Sequence, residues 1–474
     1  MKSIVKIKSL SAATIVVITA ILLFTQFNLS PWKNAEIGKS LIRNDIVSYY
    51  GYLPACFIHN DLSLNFIDSD TINYRSKNQF WPKTAPNGNK VFKFTMGMSM
   101  AYSPFFFIAH AYSKVSEKYK ANGFSKPYEF ALAFSCLFYL ILGLFFLRKV
   151  LLLYFNEAIT ALALFTTTIG TNLFFYATSE PCMSHAYSFS LISIFIFLSI
   201  KWHKRQTIKK TILIGLLSGL IVLIRPVNLV ILLFPFFLGV VNLSSLKENF
   251  NLFVLKWKQL LVMAFFAFIV ILPQLIYWKA VTGSWVYHSY VDEHFFFLKP
   301  HFLEFLFSYR KGWLIYTPVM IFALIGLLIS FKSQKKLFLP LLLISIVNIY
   351  ILCCWWCWWY GGSFGMRPMI DMYGFYAISI GFFLRWAANK RSLIKTCFTC
   401  VFLAFIGLNI FQTQQRRHLV IHWDSMTKEA YWTYFLTYKF NTQQDWVDQE
   451  KLLNHPNYQK ALIGENEYEF KAFD

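Results

Sequence analysis

The chain has 474 residues, of which 57% are hydrophobic and 14% are charged, and its net charge is +22. Soluble globular domains carry about 25% charged residues, so this composition, with a mean hydropathy of +0.46, excludes an ordinary soluble protein and indicates a membrane protein. The basic residues fall in short clusters between apolar segments. This pattern is typical of topology determinants and of contacts with anionic lipids, and it argues against a nucleic-acid-binding surface.

The N-terminal segment is predicted to be an uncleaved membrane anchor. Three lysines, Lys2, Lys6 and Lys8, precede an apolar run from Leu10 to about Phe24. The residues that follow this run, TQFNL, offer no small-residue cleavage site of the kind that ends a signal peptide.

Long apolar segments continue along the chain. A membrane-spanning helix needs about 20 mostly apolar residues. Eleven segments are candidates, roughly 10–30, 128–147, 158–176, 185–201, 211–225, 227–243, 259–279, 313–331, 337–356, 370–386 and 394–412. We therefore predict an all-α polytopic membrane protein with about eleven transmembrane helices.

The segment 97–112 is the uncertain element, because it is apolar but contains Ser99, Ser103, Pro104 and His110. If it does not cross, nearly every strong basic cluster falls on one side of the membrane. If it crosses, the cluster 201–210 (KWHKRQTIKK) and those after it move to the other side. Because cytoplasmic loops carry the excess of Lys and Arg, we predict that 97–112 is interfacial or re-entrant and that the N-terminus is cytoplasmic.

This topology divides the chain into a transmembrane domain, residues 1–412, and a small external C-terminal appendage, residues 413–474. Residues 31–127 form a long first external loop that carries interfacial helices. Two further external loops are predicted at 280–312 and 356–369.

Six of the eight cysteines lie in apolar segments: Cys136, Cys353, Cys354, Cys357, Cys397 and Cys400. Two CxxC spacings occur among them, but neither has the surroundings of a redox fold. We predict buried free thiols.

Ionisable residues on the predicted external face are the candidates for chemistry. Asp45, just beyond the first span, is suited to act as a general base that deprotonates a hydroxyl. The alternative is that it caps a helix. The cations Lys93, Arg310 and Arg367 oppose the positive-inside trend and suit a phosphate ligand. Snorkelling to lipid headgroups is the other interpretation.

Other polar residues allow more than one interpretation. Glu180 and His185 share a short external loop and could bind substrate or metal, or could cap a turn. Three histidines at 288, 294 and 301 match no zinc-binding spacing. Arg225 ends a span and is expected to pair with a neighbouring carboxylate.

A set of short motifs lies along residues 10–390. The motifs are Asp45 after the first span, KFTMG at 93–97, Ser184-His185 opening a span, Arg225-Pro226, SYRKG at 308–312 before YTP at 316–318, and WYGGSFGMR at 359–367. In this order the chain resembles the GT-C superfamily of membrane glycosyltransferases, which use polyprenyl-phosphate-linked sugars. Protein O-mannosyltransferases and the lipid A aminoarabinose transferase are members.

The resemblance implies a GT-C-like fold and a site on the external, periplasmic face of a bacterial inner membrane. It implies that Asp45 acts as the base and that the sugar's anomeric centre is inverted. Lys93, Arg310 and Arg367 would hold the donor phosphate. Donor and acceptor would contact further residues of the same face, which are His185, Glu180 and Tyr52.

The implied partners are a polyprenyl-phosphate-linked sugar, membrane lipids and an acceptor that is a protein, a lipid or a glycan; no nucleic acid is expected. The chain departs from its relatives at two positions. Asn44 stands where many of them carry a second acid, so no firm cofactor is predicted, and a divalent metal is possible but has no support in the sequence. Thr95 stands where proline is usual.

Two other functional classes stay open. A transporter or lipid flippase would also be polytopic and basic, but it should carry ionisable residues inside spans or inverted repeats. The sequence has few of the former and no evident repeat. A non-catalytic scaffold would not need external loops so much longer than the cytoplasmic ones.

Overall fold

The computed structural model describes residues 9–33, 40–69, 79–80 and 82–466 of the chain. The N-terminal lysines Lys2, Lys6 and Lys8, parts of the predicted first external loop and the last eight residues lie outside this range. Within it the regular structure is helical, apart from one isolated bridge and a two-stranded antiparallel sheet, in which β1 (Lys83–Thr84) pairs with β2 (Lys90–Val91).

The helices of the first half are α1 (Leu10–Leu29), α2 (Asp45–Tyr50), α3 (Tyr52–Pro54), α4 (Phe66–Ser69), α5 (Gly97–Val115), α6 (Lys126–Leu151), α7 (Glu157–Ile169), α8 (Leu173–Thr178), α9 (His185–Lys204), α10 (Ile208–Ile224) and α11 (Phe234–Phe237). Those of the second half are α12 (Leu243–Leu255), α13 (Trp257–Thr282), α14 (Phe302–Phe307), α15 (Trp313–Tyr316), α16 (Met320–Ser333), α17 (Lys335–Cys353), α18 (Tyr373–Ala388), α19 (Ser392–Arg417), α20 (Lys428–Thr433), α21 (Gln443–Glu450) and α22 (Tyr458–Leu462). Shorter 3₁₀ or π segments are Pro31–Lys33, Ala55–His59, Pro226–Leu233 and Arg367–Met372.

Six of the described helices are long and apolar enough to cross a membrane: α1, α6, α9, α13, α17 and α19. They correspond to six of the eleven predicted spans. Large apolar side chains on their outer faces are exposed, as Leu261 and Phe265 on α13 are at 58% each, which suits contact with lipid rather than water. The chain is an all-α integral membrane protein.

The other five predicted spans are shorter or interrupted helices. Proline accounts for three of the interruptions, since it lacks a backbone N–H and cannot continue a helix from the preceding turn. Pro226 follows the end of α10, Pro318 separates α15 from α16, and Pro368 lies in the 3₁₀ segment before α18. Arg225, Arg367 and Asp371 lie at these interruptions.

Helix α5 contains the uncertain segment 97–112 and packs along α6. Three contacts define its direction: Ala101 with Tyr139, Phe105 with Phe134, and His110 with Tyr128. α5 therefore runs antiparallel to the first half of α6, with its N-terminal end beside the middle of that helix. Whether α5 is interfacial or re-entrant stays a prediction.

Small residues bring the apolar helices into close contact. At Gly143 of α6, an added Cβ would lie 2.6 Å from the Cα of Ser190 on α9. At Gly326 of α16, it would lie 1.8 Å from the carbonyl oxygen of Ser379 on α18. Such small-residue contacts are typical of helix packing in membranes, where apolar burial gives little driving force.

All eight cysteines are free thiols. The prediction of burial is confirmed for Cys136, Cys353, Cys354 and Cys357, but it is wrong for Cys397 and Cys400, which are exposed. These two residues lie three positions apart on α19, so they share a face that points away from the bundle.

The residues that follow α19 pack against the loops before α15 and after α17. The aromatic rings of Trp359 and Tyr458 lie 5.5 Å apart, and Lys299 donates to the carbonyl of Gly464 at 3.1 Å. The predicted C-terminal appendage is thus held on the same end of the bundle as these loops.

Candidate active site

The structure brings together Asp45 and Arg367, which are 322 positions apart in the chain. A guanidinium nitrogen of Arg367 lies 3.3 Å from a carboxylate oxygen of Asp45. The side chain of Asp45 is 34% exposed and that of Arg367 is 17% exposed, so the pair is not sealed in the core. An accessible carboxylate beside an accessible cation can take part in proton transfer and anion binding.

The local backbone presents Asp45 in an unusual way. Asp45 is the first residue of α2, and Asn44 before it has φ +51° and ψ −127°, a conformation that costs a non-glycine residue about 1–3 kcal/mol. Such strain is found where surrounding structure fixes a functional side chain. The sequence signal for this feature is weak, since asparagine tolerates positive φ better than most residues.

Glu180 acts on the same cation. Burial works to lower the pKa of the Arg367 guanidinium, but the negative charge of Asp45, with a smaller contribution from Glu180, raises the pKa above its ordinary value. Arg367 therefore keeps its positive charge and lies in the field of two predicted site residues.

A second charged cluster is buried beside the first. Asp371 accepts from His185 Nδ1 at 2.9 Å and from Asn228 at 3.0 Å, and the Nε atom of Arg225 lies 3.4 Å away. The Nη1 atom of Arg225 also lies 3.0 Å from His185 Nδ1. The expectation that Arg225 pairs with a carboxylate is confirmed, and Asp371 is the partner that sequence reasoning missed.

Tyr49 lies between the two clusters. Burial raises the pKa of its hydroxyl and the charge of Asp45 raises it further, while Arg225 and Arg367 act in the opposite direction. One buried hydroxyl thus senses the carboxylate and both guanidinium groups. Asp45, Arg225 and Arg367 therefore all lie within electrostatic range of the Tyr49 hydroxyl.

Lys93 lies beside a carboxylate and an aromatic ring of the predicted loop 280–312. Its ammonium lies 2.6 Å from Glu293 and 5.4 Å from the ring centre of Tyr290. Burial raises the pKa of Tyr290, and the nearby Tyr49, Glu293 and Asp45 raise it further. Arg225 acts in the opposite direction, so Tyr290 lies in the field of both Glu293 and the charges of the two clusters.

The stretch from Lys93 to Gly97 is fixed against the end of α10. The backbone N–H of Met96 donates to Gln274 at 2.8 Å, and Thr95 donates to the carbonyl of Leu223. A Cβ added at Gly97 would lie 2.4 Å from the backbone nitrogen of Ile224, so only glycine allows this approach. Thr95, which departs from the pattern of the resembled family, supplies one of these contacts.

Tyr52 is buried and supports the same stretch. It is 5% exposed and donates to the carbonyl of Phe94 at 2.7 Å. Its ring packs 4.2 Å from that of Phe92. Its contacts are those of a residue that positions the Lys93 loop, while the predicted contact with substrate stays a prediction.

Arg310 faces the C-terminal residues instead of Asp45. It is 2% exposed, and its guanidinium donates to the carbonyls of Asp424 at 3.0 Å and Asn454 at 2.8 Å. Two of its donors are thus used in holding the chain together. The predicted phosphate contact of Arg310 stays a prediction that this arrangement does not support.

Neighbouring cations brace the loop that carries Arg367. Lys311 donates to the carbonyls of Ser363 at 2.6 Å and Trp423 at 2.7 Å, and Arg416 donates to Ser363 at 3.4 Å. Burial, together with the charge of Arg416, lowers the pKa of Lys311 well below its usual range. These residues act on the site through the loop.

No group of three or more His, Cys, Asp or Glu side chains within the described residues is arranged to hold a metal ion. His288 and His294, two of the three histidines in the predicted loop 280–312, hydrogen-bond with backbone carbonyls at 3.1 and 2.7 Å.

Asp371 could have been found from the sequence. It lies at the start of the predicted span 370–386, and an ionisable residue within a span marks a functional site by default. Tyr49 and Tyr290 carried no comparable signal, because the chain has 26 tyrosines and only the fold selects these two.

Comparison with known proteins identifies no relative: no family model, no curated protein and no solved structure matches this chain.

Proposed function

We propose that the protein is a membrane glycosyltransferase of the GT-C type, which transfers a sugar from a polyprenyl-phosphate donor to an acceptor hydroxyl. The observation that carries this proposal is the meeting of Asp45 and Arg367 at 3.3 Å, with both side chains partly exposed. Base and phosphate ligand are the two groups that this reaction requires of the protein.

In the proposed reaction, Asp45 accepts the proton of the acceptor hydroxyl. The acceptor oxygen forms a bond to C1 of the sugar while the bond from C1 to the phosphate oxygen breaks. The electron pair of that bond leaves with polyprenyl phosphate, and attack from the opposite face inverts the anomeric centre. Negative charge accumulates on the phosphate, so fixed cations beside it stabilise the transition state more than the ground state.

Arg367 and Arg225 are the best-placed cations for the departing phosphate. Arg225 is held by Asp371 on one side and is 17% exposed on the other, so it is oriented without being fully enclosed. Arg367 is paired with Asp45. A donor phosphate would compete for Arg367 and release the carboxylate of Asp45 to act as a base.

We further propose eleven crossings, a cytoplasmic N-terminus and an external site. The support is the distribution of basic clusters, including the one that ends α9 at Lys204. A cysteine placed at Lys204 should resist a membrane-impermeant thiol reagent added from outside. Labelling from outside would overturn this topology.

The test of the proposed activity is release of polyprenyl phosphate by the purified protein. It is incubated with a panel of polyprenyl-phosphate sugars and a membrane extract that supplies the acceptor. Arg367→Gln should lower release of polyprenyl phosphate by about 10²-fold or more, since one charged group aimed at the developing charge is worth that much. Arg205→Gln, a change at an exposed arginine at the end of α9, is the matched control and should act like wild type.

A transporter or lipid flippase is the second candidate, and Asp371 is the observation that favours it. This carboxylate is 1% exposed, begins a predicted span and lies at an interrupted helix, and both features are found at transport sites. Reconstituted protein that moves a polyprenyl-phosphate sugar across a vesicle membrane without cleaving it would support this candidate against the transferase.

A further inference from the structure

A groove lies on the outer side of α5, away from the candidate active site. It has a volume of about 720 Å³ and is bounded by the end of α1, by α5 and by the first turns of α6. Its walls are mainly apolar and include Trp32, Phe105, Ile108, Tyr112, Phe130 and Phe134. Ile108 and Phe134 are 68% and 48% exposed, so the groove is open to the surroundings of the bundle, which for a membrane protein are lipid.

Two lysines line the groove with these apolar walls. Lys33 follows α1 and Lys126 opens α6. The ends of the two helices meet here, because the rings of Trp32 and Phe130 lie 5.2 Å apart. Both lysines therefore lie at the same end of the bundle, where α1 leaves the apolar layer and α6 enters it.

Both ammonium groups are available to a ligand. Each lysine is exposed, and neither forms an ion pair with any carboxylate of the described residues. Positive charge at the end of an apolar groove complements a molecule with a negative head and an apolar tail. A membrane lipid is such a molecule, and juxtamembrane cations attract anionic headgroups.

We propose that this groove is a binding site for an anionic phospholipid, with the phosphate at Lys33 and Lys126 and an acyl chain along α5 and α6. The concave shape distinguishes it from lysines that merely snorkel at a convex surface. A shallow apolar face would exchange lipids freely, whereas a groove surrounds the chain and holds it longer.

The groove is linked to the candidate active site through α5. A different face of α5 contacts α2, the helix that begins at Asp45: Ser99 donates to the carbonyl of Tyr49 at 2.5 Å, and the ring of Phe106 lies 5.9 Å from that of Tyr50. A bound lipid would brace α5 between α6 and α2. The lipid site does not depend on the proposed transferase activity, since it stands on the groove and its charges.

The test measures lipid retention and thermal stability of the full chain in detergent. Phosphatidylglycerol and phosphatidylcholine with the same acyl chains are added in turn, with glycerol phosphate as the headgroup alone. We expect phosphatidylglycerol to raise the unfolding temperature and to stay bound in native mass spectra, and the other two to do neither. An equal effect of phosphatidylcholine, or of glycerol phosphate, would overturn the proposal.

Two independent variants locate the effect. The double change Lys33→Gln and Lys126→Gln should weaken phosphatidylglycerol retention at least tenfold, whereas Lys332→Gln with Lys335→Gln, exposed lysines at another loop, should not. Ala131→Phe places a ring in the groove without changing charge and should weaken retention equally. Unchanged retention in both groove variants would overturn the site, and so would polyprenyl phosphate occupying it in place of phospholipid.

Discussion

Replacing Asp371 with asparagine tests whether the buried cluster holds Arg225. Asp371 is 1% exposed, and its carboxylate contacts His185, Asn228 and Arg225 at 2.9, 3.0 and 3.4 Å. Breaking a buried ion pair costs about 3–5 kcal/mol, because the remaining charge is left unpaired. Arg225 is 17% exposed and asparagine keeps one acceptor, so we expect a loss of about 2–3 kcal/mol in the free energy of unfolding.

The assay is a double-mutant cycle on unfolding in mixed micelles, followed by tryptophan fluorescence. The variants are Asp371→Asn, Arg225→Gln and the double change. If the pair interacts directly, the double change should cost about 1–2 kcal/mol less than the sum of the single changes. Asp448→Asn with Lys451→Gln, an exposed pair at 2.7 Å, is the control and should show no measurable coupling. Additivity within about 0.5 kcal/mol at the buried pair would refute the cluster.

Three further predictions concern the site's support. Gly365→Ala should destabilise the Arg367 loop by at least about 1 kcal/mol in a thermal unfolding measurement, because Gly365 has φ +57° and an added Cβ would lie 2.9 Å from a tyrosine Cβ. Gly88→Ala is the control and should cost less, because Gly88 has φ +85° but an added Cβ would have no neighbour within 4 Å. Gly97→Ala should lower the unfolding temperature, since its Cβ would lie 2.4 Å from the backbone of α10, whereas Gly407→Ala meets nothing within 4 Å and should not. Burial, with the charge of a neighbouring lysine, lowers the pKa of His422 from 6.5 to about 3. As the pH drops below 6.5, the unfolded chain therefore binds a proton at this residue before the folded chain does, and the free energy of unfolding falls. His422→Asn should reduce the difference in that free energy between pH 7 and pH 5.

The six spans that are long, uninterrupted apolar helices were predictable from the sequence, because their apolar composition is enough to indicate them. Six long apolar helices occur where hydropathy indicated them, because about 20 apolar residues in a row have few stable alternatives to a membrane helix. The interrupted helices were not predictable at the same level. Pro226 and Pro368 are visible in the sequence, but a proline can kink a helix or end it, and packing around Arg225 and Arg367 decides which occurs.

The site was predictable in part, for reasons that differ by residue. Asp45 and Arg367 were expected together because both follow span ends on one predicted face, and the structure places them in contact. Arg310 has the same sequence signature as Arg367. It turns instead to backbone carbonyls of Asp424 and Asn454, which lie more than 100 positions away, and no local pattern reports such long-range pairing.

The central claim is that Asp45 is the base of a glycosyl transfer. The most direct measurement is single-turnover release of polyprenyl phosphate by wild type, Asp45→Asn and the exposed control Asp448→Asn. We predict that Asp45→Asn reduces the rate by about 10²–10⁴-fold, the usual contribution of a general base, with donor binding retained and the control unchanged. Wild-type release in Asp45→Asn would contradict the assignment of the base, and no release from any donor by the wild-type chain would contradict the transferase itself.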